Sequence, residues 1–291
     1  MPDLPVKEEL PDLQNEQDTR GVALEKVGIS GYEVPFTVTQ RDGTGQSVVG
    51  KFSIYCSIGS ETKGANMSRF SQVASKAITR AAGNGGIGIA ILQDMLKACK
   101  TKLESDDSYV RIKFPFFVKR QAPISKEESF VKYDCQLVGH DVNGTAQIMA
   151  EVAVTYMSLC PCSRGMSIYD HDHELGKGAH NQRSIGKLQV SFEQDENGNI
   201  VEPRSFEELV DIIEAQASCP IFNTLKRPDE QYVTERSYDN AKFVEDVARD
   251  VALEVQELSG INGWRFVTTH QESIHQYNAV CVKRGGDVYI D

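Results

Sequence analysis

Apolar and polar side chains alternate in paired runs along this chain, with helical stretches between the pairs. In VGKFSIYCSI, Phe52, Ile54, Cys56 and Ile58 alternate with Lys51, Ser53, Tyr55 and Ser57. Side chains of a strand point to opposite faces in turn, so this run predicts a strand with one buried face. The β-rich run YEVPFTVTQ at 32–40 precedes it and RDGTGQ joins the two, which reads as a hairpin.

KGANMSRF then leads into a helical segment that GNGG at 83–86 interrupts. Residues 87–104 set Ile87, Ile91, Leu92, Met95, Leu96 and Cys99 on one face, predicting an amphipathic helix. VRIKFPFFVKR places Val110, Ile112, Phe114 and Phe116 on one side, and 128–159 reads as two strands joined at Asn143–Gly144. The order is strands, helices, strands. After Ser184 it recurs. GKLQVSFE is a strand, DENGN a turn, and Ser205 with Glu208 predicts a capping box for SFEELVDIIEAQA. A helix over about 240–258 carries Phe243, Val244, Val247, Val251, Leu253, Val255 and Leu258, and Gly260 ends it. Asn262–Gly263 turns the chain into WRFVTTHQE, and SIHQYNAVCVKR closes the sheet. No residue-level repeat is visible, but the order of elements repeats. The fold class is therefore α+β: two similar modules of antiparallel sheet with helices on one face. The expected divisions are a disordered acidic leader at 1–19, a first module at 20–157 and a second at 158–291.

The net charge of −11 over 291 residues argues against a broad nucleic-acid or anionic-membrane surface. A small anionic substrate needs only a local cluster of Arg and Lys. No apolar run is long enough for a membrane-spanning helix, and MPDLPVKEELPDLQ lacks the basic and apolar regions of a signal peptide. The seven cysteines are odd in number and irregularly spaced, which fits a reducing cytoplasm rather than a disulfide framework. Cys56, Cys135 and Cys281 lie in strand-like runs and read as small core residues.

Cys160 and Cys162 differ, because they open the stretch Ser158–Ser184, which also holds His171, His173 and His180. Soft and borderline ligands packed this densely can form a metal site. In an extended Cys160-Pro161-Cys162 segment both sulfurs would face one side. His180 lies among small polar residues, which favours a site, whereas His171 and His173 in DHDHE read as a solvated loop. His275 is placed mid-strand beside Glu272, facing the opposite side unless a bulge intervenes. Glu230 follows Lys226, Arg227 and Pro228 in LKRPDE, where a surface loop is the plainer reading. Glu245 lies early in an apolar helix, where the helix dipole alone could account for a carboxylate. From the residues alone, the chain is a metal-assisted hydrolase or a metal-binding module.

Five segments in order, SLCPCS, GAHNQRS, KRPDE, NAKFVEDV and ESIHQYNAV, resemble the type IB GTP cyclohydrolase I family over most of the chain after the leader. The resemblance implies two fused tunnelling-fold (ββααββ) modules that oligomerise into a barrel around a central channel. It implies a homo-oligomer, taken as a tetramer with active sites at subunit interfaces, that converts GTP and water to formate and 7,8-dihydroneopterin triphosphate. By motif, Cys160, His180 and Glu230 are metal ligands, and His275 is a further ligand or the acid–base group. Cys162 is a second thiol in proton transfer. The metal is Mn²⁺, Fe²⁺ or Zn²⁺. Glu245 matches the purine anchor, and Glu272 is a further candidate for substrate contact. Arg183, Lys226, Arg227 and Arg69 are candidates for the triphosphate, Arg69 across a subunit interface. Two departures stand out: family members often carry His where this chain has Asn66, and DHDHELGK is extra, so that His171 or His173 could replace His180. The alternatives are a sister tunnelling-fold enzyme (a cyclic-phosphate-forming GTP cyclohydrolase or a nitrile reductase) or a non-enzymatic metal-binding oligomer.

Overall fold

The structure, a computed structural model, describes residues 12–82, 88–169 and 178–288. The first eleven residues, the GNGG segment and DHDHELGK with His171 and His173 therefore lie outside the described residues.

The chain folds as one antiparallel sheet with helices on one face. The elements are β1 (Leu24–Thr39), β2 (Gly45–Ile58), α1 (Met67–Ala82), α2 (Ile89–Leu103), β3 (Ser108–Gln121), β4 (Glu128–Val142) and β5 (Thr145–Leu159). There follow α3 (Pro161–Tyr169), β6 (Asn181–Phe192), α4 (Phe206–Gln216), β7 (Cys219–Pro220), α5 (Arg227–Asp239), α6 (Val244–Gln256), β8 (Ile261–His270) and β9 (Ala279–Gly286). Their order across the sheet is β1-β2-β3-β4-β5-β6-β8-β9, with the short β7 pairing β5. Helices intervene between β2 and β3 and again between β6 and β8, so the expected order of strands, helices and strands occurs twice.

Period two decides which face is covered. Phe52, Ile54 and Cys56 on β2, Val110, Ile112, Phe114 and Phe116 on β3, and Val152, Val154 and Tyr156 on β5 are all buried. They share one core with Leu92, Met95, Leu96 and Cys99 of α2 and with Val247, Val251 and Val255 of α6. Phe206, the first residue of α4, packs edge-on to Phe114 at 5.3 Å between ring centroids. A Cβ on Gly139 of β4 would meet the Leu92 side chain at 2.8 Å and that of Leu96 at 3.0 Å, so α2 packs closely on the sheet there and these leucines would have to shift. Burial pushes the thiols of Cys56, Cys99, Cys135 and Cys219 up, Cys99 to about 12 and Cys219 to about 11. Such thiols are inert fillers of the core.

Several local expectations are corrected. The segment Cys160-Pro161-Cys162 is not extended, because Pro161 opens α3. Its fixed φ and missing N–H suit a helix start. Pro228 likewise lies in the first turn of a helix, α5, so Glu230 is helical and not on an irregular loop. The helix expected over 240–258 starts only at Val244. His275 is not mid-strand: β8 ends at His270 and β9 begins at Ala279. Asn262–Gly263 is not a turn but lies inside β8, at a register irregularity opposite Ser191 and Phe192. Half of the expected capping box forms. Ser205 Oγ accepts from Glu208 N–H at 3.2 Å, while the Glu208 carboxylate pairs with Arg204. At the N-terminus, residues within the expected leader pack on the 59–64 loop, where Asp18 N–H donates to Glu61 O at 2.8 Å.

Candidate active site

Antiparallel order brings the end of β5, the start of β6 and the end of β8 to one end of the sheet. Leu159 pairs with Asn181, and Ser184 pairs with His270. The connections are sewn there. Cys160 N–H donates to His180 O at 3.2 Å, Gln271 N–H to Arg183 O at 3.0 Å, and Lys242 N–H to Leu159 O at 3.3 Å. The last bond ties the approach to α6 against the end of β5. Cys160, His180, Arg183, Glu272 and the first turn of α6 thus occupy one end of the molecule.

Cys160 carries the first helical bond of α3, its carbonyl accepting from Arg164 N–H at 3.1 Å. Its sulfur takes the place of a capping oxygen, accepting from Ser163 N–H at 3.4 Å. A helix start favours an anionic ligand. Ser163 Oγ in turn accepts from His180 N–H at 3.3 Å, so one serine joins the thiol to the histidine segment. The His180 ring is partly buried, with Nδ1 at 3.1 Å from Gln182 Oε1 and 4.0 Å from Glu272 Oε2. Cys162, two residues further on in the first turn of α3, is exposed.

A family model described as Type I GTP cyclohydrolase folE2 matches residues 10–281. The chain belongs to this family. It is 36% identical over 274 residues to the GTP cyclohydrolase FolE2 of Nitrosococcus oceani, covering 94% of both chains. The protein of that name from Thermosipho africanus is 36% identical over 272 residues, with 93% of this chain and 96% of the relative covered. Among solved structures, a uricase from Bacillus fastidious superposes with a TM-score of 0.54 at 10% identity, covering 90% of this chain and 93% of its own. The uricase from Arthrobacter globiformis gives 0.50 at 7% identity, covering 92% and 96%. At such identities the likeness concerns the fold alone.

Cys160 and His180 are donor types that suit the divalent metal the family resemblance implies: a thiol at a helix start and an imidazole with Nδ1 already engaged. The rest of the expected set does not join them in one chain. Among the described residues no three His, Cys, Asp or Glu side chains converge to hold a metal. Glu230 is exposed on α5, and His275 is exposed, its ring stacked on Tyr277 with centroids 4.8 Å apart. Glu245 is exposed in the first turn of α6. Its neighbour Asp246 performs the capping, accepting from Phe243 N–H at 3.0 Å. The same division holds on α5, where Asp229 accepts from Lys226 N–H at 2.9 Å. Asp229 also accepts from Ile124 N–H, Ser125 N–H and Ser125 Oγ, which fixes α5 to the β3–β4 loop. Burial opposes its charge, but these donors prevail and hold its carboxyl well below the usual range. In each helix the aspartate is spent on structure and the adjacent glutamate is left outward.

The cation candidates separate. Arg183 is exposed on β6 beside the 271–278 loop, and Arg227 is exposed at the start of α5. Lys226 is paired with Glu127. Arg69 lies at the opposite end of the sheet, lining a recess with Asn66, Ser57 and Ile58, its guanidinium on Lys102 O at 3.2 Å. A larger cavity of about 690 Å³, lined by Arg41, Gln93, Arg204 and Phe206 among others, contains none of the candidate residues.

Sequence reasoning passed over the polar residues behind the site. Tyr156, Ser184 and His270 lie side by side on β5, β6 and β8, all buried. The Tyr156 hydroxyl reaches Thr268 Oγ1 and lies 3.3 Å from His270 Nε2. The signal was available: Tyr156 and Ser158 continue the core face of Val152 and Val154. Burial pushes His270 down to about 4, with the Glu245 charge acting against the shift. The folded protein thus refuses a proton that the unfolded chain takes up near its ordinary value of 6.5. Stability is therefore full above that value and falls as pH drops toward 4. Linkage gives a loss of about 2 kcal/mol between about pH 7 and pH 5. Urea unfolding at both pH values, compared with His270→Gln, should show this slope in the natural chain and its loss in the variant.

Proposed function

We propose that the protein hydrolyses and rearranges GTP to 7,8-dihydroneopterin triphosphate and formate, the first step of tetrahydrofolate biosynthesis. The observation that carries this reading is the junction of Cys160 with His180, at the end of the sheet where α6 presents Glu245, in a chain of the folE2 family. Water must add at C8 of guanine, the ring must open, formate must leave, and the ribose carbons must rearrange before the pterin ring closes. Cys160 and His180, with Glu230 and His275 as further candidate ligands, would hold the divalent ion. Mn²⁺, Fe²⁺ or Zn²⁺ suits this mixed donor set and would supply Lewis acidity there. Glu245 accepts hydrogen bonds from guanine N1–H and the 2-amino group, an arrangement only a carboxylate or similar acceptor pair can meet. Glu272 is a second contact to the substrate. Cys162 and His275 move protons during ring opening and closure. Arg183, Lys226, Arg227 and Arg69 bind the triphosphate, Lys226 after release from Glu127.

Arg69, at the far end of the sheet, reaches a triphosphate only as the contribution of a second copy. That placement, with the exposed Ile274, Tyr277, Val280 and Val282 around β9, supports a homo-oligomer. We take it as a tetramer, with sites between subunits and two tandem tunnelling-fold modules per chain closing into a barrel. The repeated order of elements supports a division at the Asn143–Gly144 turn, earlier than the 157/158 boundary expected from the sequence. Cytoplasmic residence agrees with seven free cysteines and with the absence of any membrane-crossing helix among the described residues.

Mass spectrometry of the products from GTP tests the reaction. Dihydroneopterin triphosphate together with formate is the expected result. A cyclic phosphate, or intact GTP with reduction of a nitrile substrate, would assign the protein to a sister reaction instead.

A further inference from the structure

Behind the paired donors runs a file of buried polar groups. His180 Nδ1 lies 3.1 Å from Gln182 Oε1, and Gln182 Nε2 donates to Ser158 Oγ at 3.0 Å. Ser158 Oγ lies 2.7 Å from Ser184 Oγ. Ser158 and Ser184 have no exposed surface, and Gln182 is 9% exposed. These residues sit on β5 and β6, where the strand pairing fixes their spacing.

Two arrangements of protons satisfy this file. In one, Nδ1–H donates to the amide oxygen. In the other, the amide is reversed and donates to a bare Nδ1. Glu272 decides between them. Its Oε2 lies 4.0 Å from the same nitrogen, with both side chains about 85% buried. A carboxylate attracts an N–H and repels a lone pair, and the effect is larger where water is scarce. The proton therefore belongs on Nδ1, and the lone pair falls to Nε2.

We propose that Gln182 is a positioning residue for metal binding. Its amide oxygen, aimed by Nε2–H donation to the Ser158–Ser184 hydroxyl pair and seconded by Glu272, fixes His180 as the Nδ1–H tautomer with Nε2 ready to coordinate. The proposal rests on the reading of His180 as a ligand. It gives the two serines a purpose, since polar groups on a core face otherwise only weaken packing. It also gives Glu272 an electrostatic role at His180 besides any contact with substrate. Residues that orient a ligating histidine typically govern metal affinity by ~10–100-fold.

The test uses the metal-free full chain and Co²⁺ alone, titrated against a competing chelator and followed by thiolate-to-cobalt absorption. Gln182→Met removes the acceptor and should weaken Co²⁺ by ~10–100-fold. Gln182→Glu keeps an acceptor facing Nδ1, lets Ser158 donate in place of accepting, and should stay within about threefold of the natural chain. His180→Ala is the reference for the ligand itself. If Gln182→Met binds as tightly as the natural chain while His180→Ala does not, the positioning role is overturned and the ligand reading stands. If His180→Ala binds as tightly as the natural chain, the ligand reading fails and takes the proposal with it. Nitrogen-15 shifts of the His180 ring in the metal-free natural chain give a measurement independent of any variant at Gln182. A protonated Nδ1 agrees with the proposal, and a protonated Nε2 contradicts it.

Discussion

Cys160→Ala is expected to lose GTP turnover by at least about 10³-fold, and metal affinity with it. The sulfur is half-buried at the start of α3, accepts from Ser163 N–H, and lies beside the His180 backbone. No other side chain among the described residues completes a three-donor cluster there, so the variant leaves His180 as the remaining member of the proposed pair. A Lewis acid contributes several kcal/mol to a hydrolytic transition state, and ~4 kcal/mol corresponds to about three powers of ten. Cys160 also starts α3, but alanine keeps the carbonyl that accepts from Arg164, so the helix should persist and far-ultraviolet circular dichroism should be unchanged. Full turnover in this variant would remove Cys160 from the ligand set. The exposed Cys162 should behave differently, losing rate without losing metal, because its proposed work is proton transfer.

Glu245→Ala is expected to lower kcat/KM for GTP by ~10²–10⁴-fold, mostly through KM. Two hydrogen bonds to a carboxylate contribute ~1.5–3 kcal/mol each. The sharper readout is selectivity. Inosine triphosphate lacks the 2-amino group, so the natural chain should prefer GTP by ~10-fold or more, and the variant should treat the two nearly alike. Damage to α6 would not erase that preference while leaving residual turnover, and the helix has its cap in Asp246. An unchanged GTP-to-inosine triphosphate ratio would show that guanine is recognised elsewhere.

Most of the sheet could be read from the sequence because period-two burial is written directly into it. Phe52, Ile54 and Cys56, and Val110 to Phe116, fall on the covered face as the alternation predicts. The amphipathic α2 and α4 were equally legible, each with a continuous apolar stripe. The helices α3 and α5 were not. None of the residues of α3 is buried, and α5 buries only Asp229, Val233 and Ser237, so neither carries the stripe that periodicity detects. Each carries a proline at its first or second residue, which reads as a break unless its place in a helix's first turn is considered. His275 was drawn into a strand because the apolar run that follows it extends the pattern backward through a loop.

The candidate site was legible only in part, for a related reason. Cys160, His180 and Glu245 announce themselves as chemistry-bearing residues at unusual places. Gln182, Ser158, Ser184 and His270 look like ordinary polar residues until the register of β5, β6 and β8 shows them adjacent and buried. Asp229 and Asp246 were hidden by their neighbours: only the capping geometry separates the structural aspartate from the outward glutamate beside it.

The central claim is that a metal held at Cys160 and His180 lets this chain open the guanine ring of GTP. The most direct measurement is an anaerobic assay of metal-stripped protein with Mn²⁺, Fe²⁺ or Zn²⁺ restored singly, following formate and, after oxidation, pterin fluorescence. Release of both products, dependent on the restored metal, is the predicted result. GTP left intact with every metal, or products formed equally well by the stripped protein, would contradict it.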